Sequence, residues 1–113
     1  MQNTFSIDQT FFTGRAAFEW LIQESEQLII VKFVAPYCPS CETLKPVLHQ
    51  IAVDHTDSLH LVELDMSEEP ELAIKYSVRS APTVVLLKNQ QVLSQIVGLK
   101  PKKQYTEIIQ SAL

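Results

Sequence analysis

Apolar residues follow two rhythms along the chain. Leu28 to Ala35 (LIIVKFVA), Leu59 to Met66 (LHLVELDM) and Thr83 to Lys88 (TVVLLK) are short, mostly apolar runs. Runs of this length predict strands, and the first two have the character of strands covered on both faces, as in parallel sheets. Elsewhere apolar residues return at helical spacing: Ala16, Ala17, Trp20 and Leu21; Leu44, Val47, Leu48 and Ile51; Leu72, Ala73 and Tyr76; Tyr105, Ile108, Ile109 and Ala112. Thr13 is a candidate N-cap for a helix to about Ser25, the second helix is expected to reach His55, and Pro70 and Pro101 suit helix starts, the former for a helix through Tyr76. Pro46 falls inside the second helix, where its missing N–H predicts a kink. Asn89-Gln90 is a short turn joining Thr83–Lys88 to Gln91–Val97 as an antiparallel hairpin, and Gly98 breaks the second strand. Thr4 to Asp8 reads as a short edge strand.

The predicted order is β-α-β-α-β-α-β-β-α. Alternating units imply a parallel core and the terminal hairpin adds antiparallel strands, so the expected fold is a three-layer α/β/α sandwich around a central mixed sheet. A chain of 113 residues with no internal repeat and two glycines reads as one domain, residues 1–113. Ligands of such sheets bind beyond the carboxyl ends of the strands.

Charge narrows the partners. Thirteen acidic against nine basic residues give a net charge of −4, which disfavours nucleic acid and anionic membrane surfaces. MQNTFSIDQTFF has no basic start, apolar run or small-residue cleavage site, and no stretch is apolar for long enough to span a bilayer. The expectation is a cytoplasmic monomer. In that compartment a lone cysteine pair points to catalysis or metal binding rather than to a structural staple.

The pair is Cys38 and Cys41, in the stretch Leu28 to Pro46 (LIIVKFVAPYCPSCETLKP). Pro36 ends the strand, and Pro39 between the cysteines suits the first turn of a helix. Residues three apart stack on one helix face. Cys38 then lies among unpaired N–H groups at the positive end of the helix dipole, where a thiolate is favoured over a thiol. The competing reading is a static disulfide or two inert thiols; a two-residue loop would contribute little stability as a staple. His49, His55 and His60 do not combine with the cysteines at zinc-finger spacing, so neither a metal nor a cofactor is expected.

With these residues in place the chain resembles a thioredoxin over nearly its whole length. The marks are the strand–Cys-Pro-Ser-Cys–helix unit, Pro46 within that helix, Arg79-Ser80-Ala81-Pro82-Thr83 before a strand, Lys88-Asn89 at a hairpin, and Val97-Gly98. A lone C-x-x-C is a weak signal; the same pair followed by Ala-Pro-Thr and Val-Gly is a strong one. The resemblance implies thiol–disulfide exchange, with Cys38 attacking a partner disulfide and Cys41 resolving the mixed disulfide. It also implies a cis bond at Pro82 against the sulfurs, contacts of Ser80, Ala81, Pro82, Val97 and Gly98 with an extended substrate chain, and Tyr37 and Pro39 as surface beside the site. The partners so implied are protein disulfides and an electron donor of the thioredoxin-reductase type.

The departures from the family pattern matter as much. The usual Cys-Gly-Pro-Cys is Cys-Pro-Ser-Cys here, and tryptophans expected at two positions are Tyr37 and Val34. The family's buried aspartate beneath the cysteines is Lys32, and the lysine that partners it from the next strand is Glu63. The resulting expectation is a buried Lys32–Glu63 ion pair below Cys41, in which Glu63 takes over as proton acceptor and Lys32 favours a thiolate and a more oxidising disulfide. Alternatively Lys32 snorkels to the surface and does nothing. Two other functions compete with the oxidoreductase. One is a glutaredoxin-like, glutathione-coupled reductase, opposed by the β-α unit before the site and the lack of Gly-Gly after Pro82; the other is a redox-responsive binding module with poor turnover.

Overall fold

The computed structural model describes residues 4–113. Nine elements follow one another: β1 (Phe11–Thr13), α1 (Arg15–Glu24), β2 (Leu28–Val34), α2 (Pro39–Asp54), β3 (Leu59–Asp65), α3 (Pro70–Lys75), β4 (Thr83–Lys88), β5 (Gln91–Val97) and α4 (Lys102–Ala112). The strands form one sheet in the order β1-β3-β2-β4-β5. β3 is parallel to both β1 and β2, whereas β4 is antiparallel to both β2 and β5. This is the mixed sheet that the order of elements implies.

Alternation along β2 splits the core in two. Ile29, Val31 and Phe33 face α1 and α3, in a cluster with Phe18, Leu21 and Leu72. Leu28 and Ile30 face α2 and α4, in a cluster with Leu44, Leu48, Tyr105 and Ile109. Side chains of a strand point to opposite faces in turn, so Lys32 falls on the α2 side.

Two local expectations are corrected. Thr4 to Asp8 is not a strand: residues 7 and 8 make a turn, with the Asp8 N–H donating to Ser6 Oγ at 3.2 Å and the Gln9 N–H to the Ser6 carbonyl at 3.0 Å. Ser and Asp favour this local bonding over a ladder, and the edge strand begins only at Phe11. Thr13 does not cap α1. It pairs with Glu63 as the last residue of β1, and Gly14 takes the cap position at φ 94°, with no side-chain bond to the helix. The second helix, α2, contains Pro46 and ends at Asp54, with His55 as its C-cap.

The hairpin loop is Asn89-Gln90, with φ of 51° and 67°. Positive φ at both central residues matches the twist of the flanking strands, so geometry outweighs the poor propensity of Gln90. β2 and β5 both end, and β4 starts, at the same end of the sheet, because Thr83 pairs with both Phe33 and Val97. The segments after β2, before β4 and after β5 therefore converge there.

Candidate active site

Cys38 occupies the N-cap of α2 and Pro39 the first turn. The cap backbone is extended, so the Cys38 side chain turns back over the helix and its Sγ accepts the Cys41 N–H at 3.1 Å. The Cys38 carbonyl accepts the Glu42 N–H at 3.2 Å. The two cysteines are joined as a disulfide, with their Cα atoms 5.2 Å apart. Cys38 is half-buried, while Cys41 is only 4 % exposed. Of the two sulfurs, the outer one can meet a large partner and the inner one cannot. A helix N-terminus donating N–H bonds to Sγ also favours its anion once the disulfide is reduced.

Tyr37, immediately before the pair, is fully exposed and sits at φ 56°. Bulky residues seldom adopt this left-handed backbone, which here places an aromatic ring wholly in solvent beside the disulfide. Pro39 is exposed on the other side of Cys38. At the same end of the sheet the Ala81–Pro82 bond is cis, as the resemblance implies. Ser80 is exposed, Ala81 half-buried and Pro82 buried. The Thr83 hydroxyl donates to the Ser80 carbonyl at 2.7 Å, and the Gly98 N–H donates to the Pro82 carbonyl at 2.9 Å. That last bond ties the proline segment to Val97-Gly98. Val97 is exposed and Gly98 holds φ 80°, a conformation that glycine takes without cost.

Lys32 does not reach the surface. It is 3 % exposed, its Nζ donates to the Cys41 carbonyl at 3.0 Å, and it stands 3.6 Å from Glu63 Oε1. The two lie side by side in the β2–β3 ladder, which explains the pairing. The expectation of a buried pair holds for one partner only. The Glu63 side chain is 37 % exposed, because β3 is flanked there only by the three-residue β1. Burial lowers the Lys32 pKa, and the Glu63 carboxylate works against that fall. Glu63 reaches the cysteine segment through Lys32.

Tyr105 is a supporting residue that the sequence reading placed only in an apolar stripe. Its hydroxyl donates to the Gly98 carbonyl at 2.9 Å and accepts the Lys100 N–H at 3.2 Å, fastening the segment after β5 to α4. A tyrosine among aliphatic positions is itself a signal, since a buried hydroxyl needs a partner. Among the described residues, no group of three or more His, Cys, Asp or Glu is placed to hold a metal ion, and no helix is long and apolar enough to cross a membrane.

The comparisons agree with this geometry. The family described as Thioredoxin matches residues 9–111. The chain is 36% identical to thioredoxin of Bacillus subtilis over 91 residues, covering 80% of this chain and 88% of that one. It is 35% identical over 111 residues to NADPH-dependent thioredoxin reductase 3 of Arabidopsis thaliana, 98% of this chain but 21% of that protein. The fold of a thioredoxin from Nicotiana alata superposes with a TM-score of 0.81 at 23% identity, over 97% of this chain and 98% of the other. A mutant thioredoxin from Halobacterium salinarum gives 0.80 at 25% identity, over 97% and 96%. Matched by the family over residues 9–111 and 36% identical to a thioredoxin over 80% of its own length, this chain belongs to the thioredoxin family of thiol–disulfide oxidoreductases.

Proposed function

We propose that Cys38 and Cys41 carry out the exchange in this chain, acting as a single-domain monomer in the cytoplasm on disulfides of other proteins. The Cys38 thiolate attacks one sulfur of a target disulfide, a mixed disulfide forms, and the other target sulfur leaves as thiolate. Cys41 then loses its proton and attacks Cys38 Sγ, expelling the second target sulfur. Two electrons pass to the target, and the Cys38–Cys41 disulfide is regenerated. The second step is fast because the attacking sulfur is already positioned one turn away. The observation that carries this reading is the difference between the two sulfurs, one accessible at the helix cap and one covered beneath it.

Tyr37, Pro39, Ser80, Ala81, Pro82, Val97 and Gly98 form the proposed substrate surface. The backbone of the Ser80–Pro82 and Val97–Gly98 segments would pair with an extended target chain, and the Tyr37 ring would pack on its side chains. Lys32 is the proposed positive charge beneath the pair, holding the first turn of α2 through the Cys41 carbonyl; Glu63 is the proposed proton acceptor, acting through Lys32. A thioredoxin-reductase-type protein is the proposed electron donor.

Trapping tests the assignment of the two sulfurs. Cys41→Ser keeps the attacking thiolate and removes the resolving one, so it is expected to accumulate mixed disulfides with protein substrates such as insulin, released by dithiothreitol. Cys38→Ser is expected to lose insulin reduction and to form no such adducts. Equal trapping by both variants would overturn the assignment.

A further inference from the structure

On the α2 side of the sheet, at the edge strand β1, a cavity of about 320 Å³ lies next to the redox site. Lys32 and Glu63 line it from β2 and β3, Lys45 and His49 from α2, and Phe11 and Leu48 supply apolar wall. The Phe11 and His49 rings, both in the lining, stack on each other with centroids 4.3 Å apart and planes 11° apart. Lys45 and His49, four residues apart, share one face of α2 and are both exposed. The cavity thus combines a buried amine, an exposed amine above it and an apolar, partly aromatic wall.

The geometry points to a binding site for a small monocarboxylate with an aromatic or branched apolar body. Among the groups that line the cavity, two amines, Lys32 and Lys45, face one carboxylate, Glu63, in a chain whose net charge is −4. Lys45 opposes the charge of Lys32, and the Glu42 carboxylate, outside the cavity lining, works the other way. Of the three Lys32 N–H groups, one donates to the Cys41 carbonyl at 3.0 Å and a second faces Glu63 Oε1 at 3.6 Å. The amine at the cavity floor therefore has one donor left for a ligand. The volume of about 320 Å³ falls within the range of small-molecule sites, at its small end, and is too small for a peptide.

Sodium benzoate is the probe. Titrated into the oxidised protein and followed by two-dimensional NMR, it is expected to give saturable shifts centred on the amides of Phe11 and His49 and on the His49 ring. Benzylamine, of the same shape and opposite charge, is expected to give none at matched ionic strength. Lys45→Ala is expected to weaken benzoate binding about threefold to fivefold, the range of one exposed ion pair, and Glu63→Gln to tighten it. Both positions are accessible to solvent, so neither substitution threatens folding. Identical responses to benzoate and benzylamine, or benzoate affinity unmoved by both substitutions, would overturn the site.

Discussion

A lysine on a strand covered by helices keeps its charge only where its protons find acceptors, since desolvating an ammonium costs several kcal/mol. Lys32 has the Cys41 carbonyl at 3.0 Å and the Glu63 carboxylate at 3.6 Å, and burial still lowers its pKa. In the proposed mechanism the charge it keeps, bonded to the Cys41 carbonyl, lowers the energy of a thiolate and so of the reduced form. Replacing it with an uncharged side chain of similar shape, Lys32→Met, is expected to make the Cys38 thiol about tenfold less acidic. Tenfold is ~1.4 kcal/mol, so the reduction potential should fall by roughly 30 mV, toward a more reducing protein. Unchanged thiol acidity and potential would assign Lys32 a packing role alone. The identity of this residue was legible from the family pattern. Its bond to a backbone carbonyl was not, because side-chain to main-chain contacts depend on how α2 seats over β2.

At the scale of elements, the edge of the sheet is where sequence and structure part most. Phe11-Phe12-Thr13 is too short to stand out by alternation, and its pairing depends on β3. One buried side chain joins β3 to the segment before β1. The His60 ring donates from Nδ1 to the Gln9 carbonyl at 2.9 Å, packs edge-on to Phe12, and leaves Nε2 buried without a partner among the described residues. Burial lowers its pKa below the ordinary 6.5, opposed by the Gln9 carbonyl. The folded state therefore resists protonating it more than the unfolded chain does. Its contribution to stability is complete above about pH 6.5 and is lost as pH falls through the lower folded value. Melting temperature is expected to fall between about pH 7 and about pH 5, and His60→Leu should flatten that fall. An identical pH profile in the variant would exclude His60 as a source. Its burial was hidden in the sequence, where a histidine in LHLVELDM reads equally well on either face of a strand.

In the whole molecule, the elements whose ends build the site were the most readable. β2 and β4 fall where the apolar runs place them, and Cys38 caps the helix that its spacing implies, because strands buried on both faces and a proline-marked helix start depend on local chemistry. The cis Ala81–Pro82 bond and the role of Val97-Gly98 came from resemblance, since nothing local separates that proline from the other five. What no local pattern carries is the convergence itself. Thr83 pairs with Phe33 on one side and Val97 on the other, and that register brings three distant segments to one end of the sheet. The proposed function rests on the sulfur placed there, held at a helix N-terminus over the buried Lys32. The most direct measurement is the pH dependence of iodoacetamide alkylation of Cys38 in the reduced protein. The expected profile shows a thiolate already prevalent at neutral pH, with a midpoint well below the ~8.5 of a free thiol. A midpoint at the ordinary thiol value, together with insulin reduction that survives Cys38→Ser, would contradict it.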